Sequence, residues 1–226
     1  MTRISAVIPV LNEAPSLKAA IDRAWLAGVD EVIVCDGGSN DGSLAIAAQQ
    51  PCRLIESPAS RAVQQNRGAA VAGGDVLLFL HADTWLAPGA GDQMRAALAD
   101  ASLLCGGFRQ QIECAGRVYR WLEQGNAARV RWLGLPYGDQ GIFVRRETFD
   151  AVGGFPEIPL MEDLRLMRRL RRLSPPALLP GPLYVSPRRW QKQGVLKQTL
   201  CNCWLLTAER CGVSPERLKR FYPPHR

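Results

Sequence analysis

The chain has 226 residues, of which 47% are hydrophobic, and this length fits one globular core with at most an appendage. Its net charge is +7, and no apolar segment reaches the length needed to span a membrane. The charge is uneven: residues 1–108 carry 7 basic and 11 acidic side chains, whereas residues 109–226 carry 21 and 10. We therefore expect a single domain, residues 1–226, whose second half faces an anionic ligand, an acidic membrane surface or nucleic acid.

The seven cysteines and the two histidines, His81 and His225, show no spacing typical of a zinc site. No Cys-x-x-Cys pair occurs, and an odd, scattered set of cysteines indicates reduced thiols in a cytosolic protein. At the N-terminus a single basic residue precedes an apolar run that is too short for a signal peptide. These features predict a cytoplasmic location.

The first 80 residues alternate between predicted strands and predicted helices. Apolar runs predict strands at 4–11, 31–35, 53–56 and 76–80, and three capped segments between them predict helices. This alternation is typical of a parallel sheet with right-handed crossovers. The predicted fold class is α/β, with a Rossmann-like, mostly parallel central sheet flanked by helices. No Gly-x-Gly-x-x-Gly and no Walker lysine occurs, which argues against dinucleotide and P-loop sites.

The rest of the chain predicts further helices and three more strands. The helices are expected at 88–99, 116–132, 147–152, 159–173 and 194–210, and the strands at 103–112, 140–145 and 177–185. The helix at 194–210 is amphipathic, and a polar tail is expected from residue 212.

Acidic residues occur at three places that the sheet could bring together: Asp36, Asp83 and the pair Glu162-Asp163. Asp83 and His81 come directly after the buried strand at 76–80, at the edge where open α/β sheets bind ligands. A turn or capping role is the alternative for Asp83, and a hydrogen-bonded rim position for His81. Chemistry on a sugar nucleotide needs a nucleoside contact, a metal at the leaving diphosphate and a base for the attacking hydroxyl. The sequence supplies a candidate for each role.

An ordered series of motifs resembles the family-2 glycosyltransferases of the GT-A fold. The motifs lie at residues 7–13, 34–42, 61–68, 80–83 and 161–163, and the similarity extends from residue 4 to residue 173. Within that family the chain is most similar to the short bacterial subgroup described as radical-SAM/selenodomain-associated transferase 2, or arsenosugar-biosynthesis glycosyltransferases. The chain length and the segment 186–194 carry this narrower resemblance.

The resemblance implies an inverting hexosyltransferase that moves a sugar from a nucleoside-diphosphate donor, UDP-linked, to an acceptor hydroxyl. It divides the chain into a nucleotide-sugar half (1–108), an acceptor and catalytic half (109–190) and a C-terminal helical extension on the acceptor side (191–226). Asp163, beside Glu162, would be the general base. The residues implied for the nucleotide are Pro9, Asn12, Glu13, Asp36, Arg61, Asn66, Asp83 and Arg189, with Asp36 on the base and Arg189 on the diphosphate.

The resemblance also implies a divalent metal, Mn²⁺ or Mg²⁺, because Asp83 matches the last aspartate of the Asp-x-Asp motif. The first aspartate of that motif is His81 here. Histidine can ligate Mn²⁺ but suits Mg²⁺ poorly, so we expect a preference for Mn²⁺. Arg189 and Trp190 match the end of a longer motif in processive relatives, but the glutamine of that motif is missing. Trp190 is expected in the core.

Several alternatives stay open. Residues 138–140 line the acceptor side or form a plain turn. One alternative is a nucleotidyltransferase. It would need a glycine-rich basic loop after the first strand, and residues 12–15 do not form such a loop. A non-catalytic protein that binds nucleotide or a membrane surface on the same scaffold is the main alternative function. No RNA-binding signature occurs, so no nucleic-acid partner is expected. If the acceptor is lipid-linked, the enzyme would contact the inner membrane face peripherally.

Overall fold

A computed structural model describes residues 1–221, apart from the side chains of Arg189 and Gln193. Its strands are β1 (Ile4–Val10), β2 (Glu31–Asp36), β3 (Arg53–Glu56), β4 (Val76–Phe79), β5 (Thr84–Leu86), β6 (Cys105–Ile112), β7 (Ile142–Arg145) and β8 (Ala177–Val185). They form one sheet in the order β3-β2-β1-β4-β7-β6-β8-β5.

The helices surround this sheet. They are α1 (Ala14–Leu26), α2 (Ser43–Ala48), α3 (Arg61–Val71), α4 (Ala90–Ala97), α5 (Arg117–Leu133), α6 (Arg146–Ala151), α7 (Glu162–Leu170), α8 (Arg188–Gln193), α9 (Val195–Arg210) and α10 (Pro215–Phe221). A short 3₁₀ turn occupies Gly138–Gln140, before β7. Within residues 1–221 no helix combines the length and the apolar character needed to cross a bilayer.

The first four strands in the chain run parallel, as the alternation predicted. In β1, Val10 pairs with Asp36 of β2, and Ile4 pairs with Val76 of β4. The second part of the sheet is mixed, since β7 runs antiparallel to β4, β6 antiparallel to β7, and β5 antiparallel to β8. The predicted α/β class is confirmed, and the antiparallel pairs are confined to strands β4–β8.

Both faces of the sheet carry an apolar layer. Ile8 of β1 packs in one layer with Leu17 and Ile21 of α1, whereas its neighbour Val7 faces the opposite layer with Leu170 of α7. Neighbouring residues of a strand point to opposite faces, so β4 is apolar along its whole length, and so is β1 apart from Ser5, whose hydroxyl donates to Glu31. Other polar side chains are therefore placed at or beyond the ends of these strands.

Two elements of the structure were not predicted. The tail from residue 212 was expected only to be polar, and within it Pro215–Phe221 forms helix α10. Proline suits the first turn of a helix, and Leu218 is fully buried beneath the neighbouring helix α9. The strand β5, which pairs with β8 at Thr84 and Val185, was not predicted, because three residues are too few to show a period.

Helix α3 lies directly on β1 and β2 because Gly68 has no side chain. A Cβ at this position would collide with Cγ1 of Val7 and would lie 2.7 Å from Sγ of Cys35.

We expect Gly68→Ala to lower the free energy of unfolding by about 1–3 kcal/mol through overpacking, as measured by urea denaturation. Gly125→Ala is the matched control, since Gly125 lies in α5 with open space around it. It should raise stability by about 0.5–1 kcal/mol. Equal stability of Gly68→Ala and the wild type would contradict this packing.

Candidate active site

The loops after β1 and β2 are bonded to each other at the carboxyl edge of the sheet. The Asn12 N–H donates to Oγ of Ser39 at 2.9 Å, and the Asn40 N–H donates to Oδ1 of Asn12 at 2.9 Å. The Glu13 N–H donates to Oγ of Ser43 at 3.0 Å. Asn12 has a φ of 57°, a left-handed conformation that a residue other than glycine holds only when its surroundings fix it. The sequence-predicted residues Asn12 and Glu13 thus belong to one rigid double loop.

Asp36 shapes the second of these loops from within. It is buried, and its Oδ2 accepts hydrogen bonds from the Gly38 and Ser39 N–H groups, each at 2.8 Å. Its Oδ1 accepts from the Ser39 hydroxyl. A carboxylate offers about four lone-pair sites, so one further donor can still bind. Asp36 therefore has both a structural role and remaining capacity for a ligand.

Gln64 joins the ends of β1 and β2, a role that the sequence did not reveal. Its Nε2 donates to the carbonyl oxygens of Val10 and Cys35, both at 2.7 Å, and the side chain is buried. The only sequence signal was a polar residue on the face of α3 that packs against the sheet. Without knowledge of the two carbonyls, this residue looked like an ordinary helix position.

Asn66 also holds backbone together. Its Nδ2 donates to the carbonyl oxygen of Phe155 and its Oδ1 accepts from the Phe155 N–H, both at 2.9 Å. This pair of bonds fixes the turn before α7 against α3. Pro9 lies half-buried in β1, paired with Cys35 of β2.

Asp163 is held at the beginning of α7, after a left-handed residue, Met161, whose φ is 66°. Its Oδ2 accepts a hydrogen bond from the Gly138 N–H at 2.7 Å, and its Oδ1 accepts from the Leu164 N–H at 2.7 Å. Both carboxylate oxygens are thus held by backbone N–H groups at the beginning of the helix. The side chain is therefore oriented before any ligand binds.

Gly138 brings His81 next to Asp163. A Cβ at Gly138 would lie 2.9 Å from Nε2 of His81 and 3.2 Å from Oδ2 of Asp163, so the imidazole and the carboxylate flank the same backbone turn. The sequence left residues 138–140 open between an acceptor role and a turn. The structure shows that this turn holds the predicted base and that a larger residue would crowd it.

Glu162 faces the other way, into the protein. It is buried, and Nη1 of Arg61 lies 3.3 Å from its Oε1. Burial raises the pKa of Glu162 above the ordinary carboxyl value, Arg61 opposes this increase, and Asp163 adds to it. The Arg61–Glu162 pair links α3 of the first half to α7 of the second.

Another group of charged side chains, Glu13, Asp83 and Arg188, lies beside the double loop. Burial raises the pKa of Glu13, the Asp83 carboxylate adds to the increase, and Arg188 of α8 lowers it. Glu13, Asp83 and Arg188 are therefore close enough to interact. This places a carboxylate pair and a guanidinium where the first and the last parts of the chain meet.

A cavity of about 290 Å³ lies between the end of β4, the beginning of α7 and helices α8 and α9. Of the sequence-predicted residues it brings together Arg61, His81, Asp83 and Asp163. Pro9, Asn12, Glu13, Asp36 and Asn66 do not line it; they lie on the side of the β1 and β2 loops and of α3. The side chain of Arg189 lies outside the described residues. Further lining comes from residues to which no role or only a weaker expectation had been given: Tyr137, Asp139, Arg188, Trp190, Gln198 and Asn202.

The chemistry of the cavity fits a divalent metal that arrives together with a diphosphate. Among residues 1–221, no three His, Cys, Asp or Glu side chains converge into a metal site. A Mg²⁺ or Mn²⁺ ion on a nucleotide needs only one or two protein carboxylates in addition to phosphate oxygens. Asp83 supplies one carboxylate, and His81 lines the same cavity.

Comparisons with known proteins identify the family and the fold. Residues 5–156 match the profile of Glycosyl transferase family 2. No curated protein matches the chain significantly. The fold is similar to S. aureus TarS in complex with UDP, with TM-score 0.65 and 14% identity over 81% of this chain and 60% of TarS. The chain thus spans about three fifths of that TarS structure.

Two further solved structures show the same fold. Glucosyl-3-phosphoglycerate synthase from Mycobacterium tuberculosis, in complex with Mn²⁺, UDP and glucosyl-3-phosphoglycerate, is 20% identical with TM-score 0.61. That similarity covers 94% of this chain and 81% of the synthase. The mannosyltransferase PcManGT from Pyrobaculum calidifontis, in complex with GDP-Man and Mn²⁺, is 19% identical with TM-score 0.58, over 82% of this chain and 56% of that protein.

The buried Glu162 predicts a pH-dependent difference in stability. Because its pKa is raised in the folded protein, the folded state binds the Glu162 proton more tightly than the unfolded chain does. Ionisation therefore costs stability as the pH rises from about 4.3, the ordinary carboxyl value, through the raised pKa. Glu162→Gln, which mimics the protonated side chain, should gain in melting temperature relative to the wild type between pH 4 and pH 8. Glu157→Gln, at an exposed position before α7, is the control. A constant difference across this range would contradict the shift.

Proposed function

The chain has the GT-A fold and belongs to glycosyl transferase family 2, and we propose that it is an inverting enzyme. It transfers a sugar from a nucleoside-diphosphate donor, UDP-linked, to the hydroxyl of an acceptor. One observation carries this proposal: Asp163, with its carboxylate fixed by two backbone N–H groups, lines the same cavity as Asp83 and His81. A base and a diphosphate-binding edge are thus side by side.

Asp163 is the general base of this proposal. Its carboxylate accepts the proton of the acceptor hydroxyl while that oxygen attacks the anomeric carbon of the donor sugar. The bond between this carbon and the diphosphate oxygen breaks, and its electron pair leaves with the diphosphate. Attack and departure occur on opposite faces of one carbon, so a single displacement inverts its configuration. Glu162 takes no proton in this scheme, because it is buried and paired with Arg61.

The nucleotide lies along the double loop of β1 and β2. Asp36 accepts a hydrogen bond from the base with its remaining lone pair, while Pro9, Asn12 and Glu13 form the floor of the groove. Arg61 and Arg189 contact the diphosphate, and Asn66 acts through the turn that it holds at Phe155. The UDP bound by TarS and the GDP-Man bound by PcManGT support a nucleotide-linked donor.

Asp83 and His81 would hold a divalent metal at the diphosphate end of the site. When bound, the ion would neutralise charge that develops on the leaving group. With an imidazole in the set, Mn²⁺ is preferred over Mg²⁺. Mn²⁺ accompanies the nucleotide in two of the structures above, which supports this choice.

The acceptor side is formed by the turn at Gly138–Gln140 and by α8 and α9. These elements border the cavity of about 290 Å³, and the proposed acceptor is a small molecule. The arsenosugar-biosynthesis subgroup, suggested by chain length and residues 186–194, is consistent with such an acceptor. A cytoplasmic enzyme with peripheral contact at the inner membrane face completes the proposal.

The base assignment is tested by Asp163→Asn. With UDP-sugars screened as donors and turnover followed as UDP release, kcat should fall by about 10²–10⁴-fold, because the amide cannot accept the proton. The UDP affinity should change little, since Asp163 faces the acceptor.

Asp150→Asn is the matched control, an exposed aspartate on α6. It should leave kcat unchanged. Wild-type kcat in Asp163→Asn would exclude Asp163 as the base, and a loss of UDP affinity equal to the loss of kcat would assign it to donor binding instead.

A further inference from the structure

Helix α9 has one face anchored in the protein. Gln198, Leu205 and Glu209 are buried on this face, and Gln198 and Leu205 line the cavity. The Glu209 carboxylate lies 2.7 Å from Nη1 of Arg168 and 3.5 Å from Nε of Arg165, both on α7. The orientation of α9 about its own axis is therefore fixed by buried charge pairs as well as by apolar packing.

The opposite face of α9 exposes a row of large apolar side chains. Leu196, Leu200 and Trp204 follow one another at intervals of four residues and are 74%, 61% and 47% exposed. Phe221 of α10 is 60% exposed, and its ring packs against Trp204 with centroids 5.1 Å apart. We call these four residues the C-terminal apolar row. A continuous exposed row of this kind marks an interaction surface rather than isolated surface residues.

The helices α8–α10, two of which carry the C-terminal apolar row, also carry many exposed positive charges. Arg188 lines the cavity, and the other exposed basic residues are Lys192, Lys197, Arg210, Arg217, Lys219 and Arg220. Within the described residues 188–221 the acidic side chains are Glu209, which is buried and paired, and Glu216. The surface thus combines apolar side chains with a large excess of exposed cations.

We propose that the C-terminal apolar row docks on an anionic lipid membrane surface. Leucine and aromatic side chains enter the boundary between headgroups and acyl chains, while lysine and arginine contact anionic headgroups. The same charges disfavour a second copy of this chain as the occupant, because two such faces would bring like charges together. The exposed apolar side chains and the exposed cations therefore favour the same partner, an anionic membrane surface.

Docking in this way places the candidate active site close to the bilayer. The face of α9 opposite the C-terminal apolar row lines the cavity, and a helix is about 10 Å across. The inference concerns membrane binding alone and does not depend on the transfer reaction. It can therefore fail or succeed separately from the proposed function.

The test is flotation of the full chain with vesicles of phosphatidylcholine alone or mixed with phosphatidylglycerol. The wild type should float with the mixed vesicles and remain in the bottom fraction when the vesicles contain phosphatidylcholine alone. The double variant Leu196→Gln/Leu200→Gln keeps helix propensity and should bind the mixed vesicles at least about tenfold more weakly. The triple variant Lys197→Gln/Lys219→Gln/Arg220→Gln should also bind the mixed vesicles about tenfold or more weakly, because it removes three positive charges and no apolar side chain.

Leu26→Gln is the matched control, because Leu26 is 67% exposed on α1 in the acidic half of the chain. Its binding should stay within about twofold of the wild type. Circular dichroism should show unchanged helix content in all variants. The proposal is wrong if the wild type ignores both vesicle types, or if the double variant binds like the wild type. It is also wrong if the double variant only converts a dimer into a monomer, as seen by sedimentation.

Discussion

The exclusion of water from both faces of the central strands organises this molecule. Strands β1 and β4 carry apolar side chains in both directions, and helices cover each face. A buried strand cannot hold an unpaired polar group without a cost of about 1–3 kcal/mol, so chemistry must begin where the strands end. Asp36 is the last residue of β2, His81 and Asp83 follow β4, and all three lie at the carboxyl edge of the sheet. The candidate site lies at this edge because the apolar core excludes unpaired polar groups from the middle of the strands.

The second half of the chain completes this edge through a few long-range contacts. Asp163 reaches the Gly138 N–H, Arg61 reaches the buried Glu162, and Asn66 holds the backbone of Phe155. The Arg61 and Asn66 contacts fix α7 and the turn before it relative to the first half, and the Asp163 contact fixes α7 against the turn before β7. The proposed base, Asp163, therefore lies next to contacts that also hold the two halves of the chain together.

The sequence could predict the residues that follow strands, because a buried apolar run that ends in Asp or His is visible without a fold. The parallel half and the position of His81 and Asp83 were accessible in this way. Of the carboxylates expected to come together, Asp36, Asp83 and the pair Glu162-Asp163, only Asp83 and Asp163 line the same cavity. The roles of Gln64 and Gly138 were not, since each depends on partners more than twenty residues away. Helix α10 was missed because only two of its residues, Pro215 and Leu218, are buried, too few to give a periodic signal.

The central claim is that the carboxyl edge of the sheet binds a nucleoside diphosphate together with a metal held by Asp83. It is tested most directly by calorimetric titration of UDP into the protein with Mn²⁺, with Mg²⁺ and without metal, beside the same titrations of Asp83→Ala. Metal-dependent micromolar binding, stronger with Mn²⁺ and abolished in the variant, is the expected result. Absence of binding by UDP and by other nucleoside diphosphates, or equal binding by Asp83→Ala, would contradict the account.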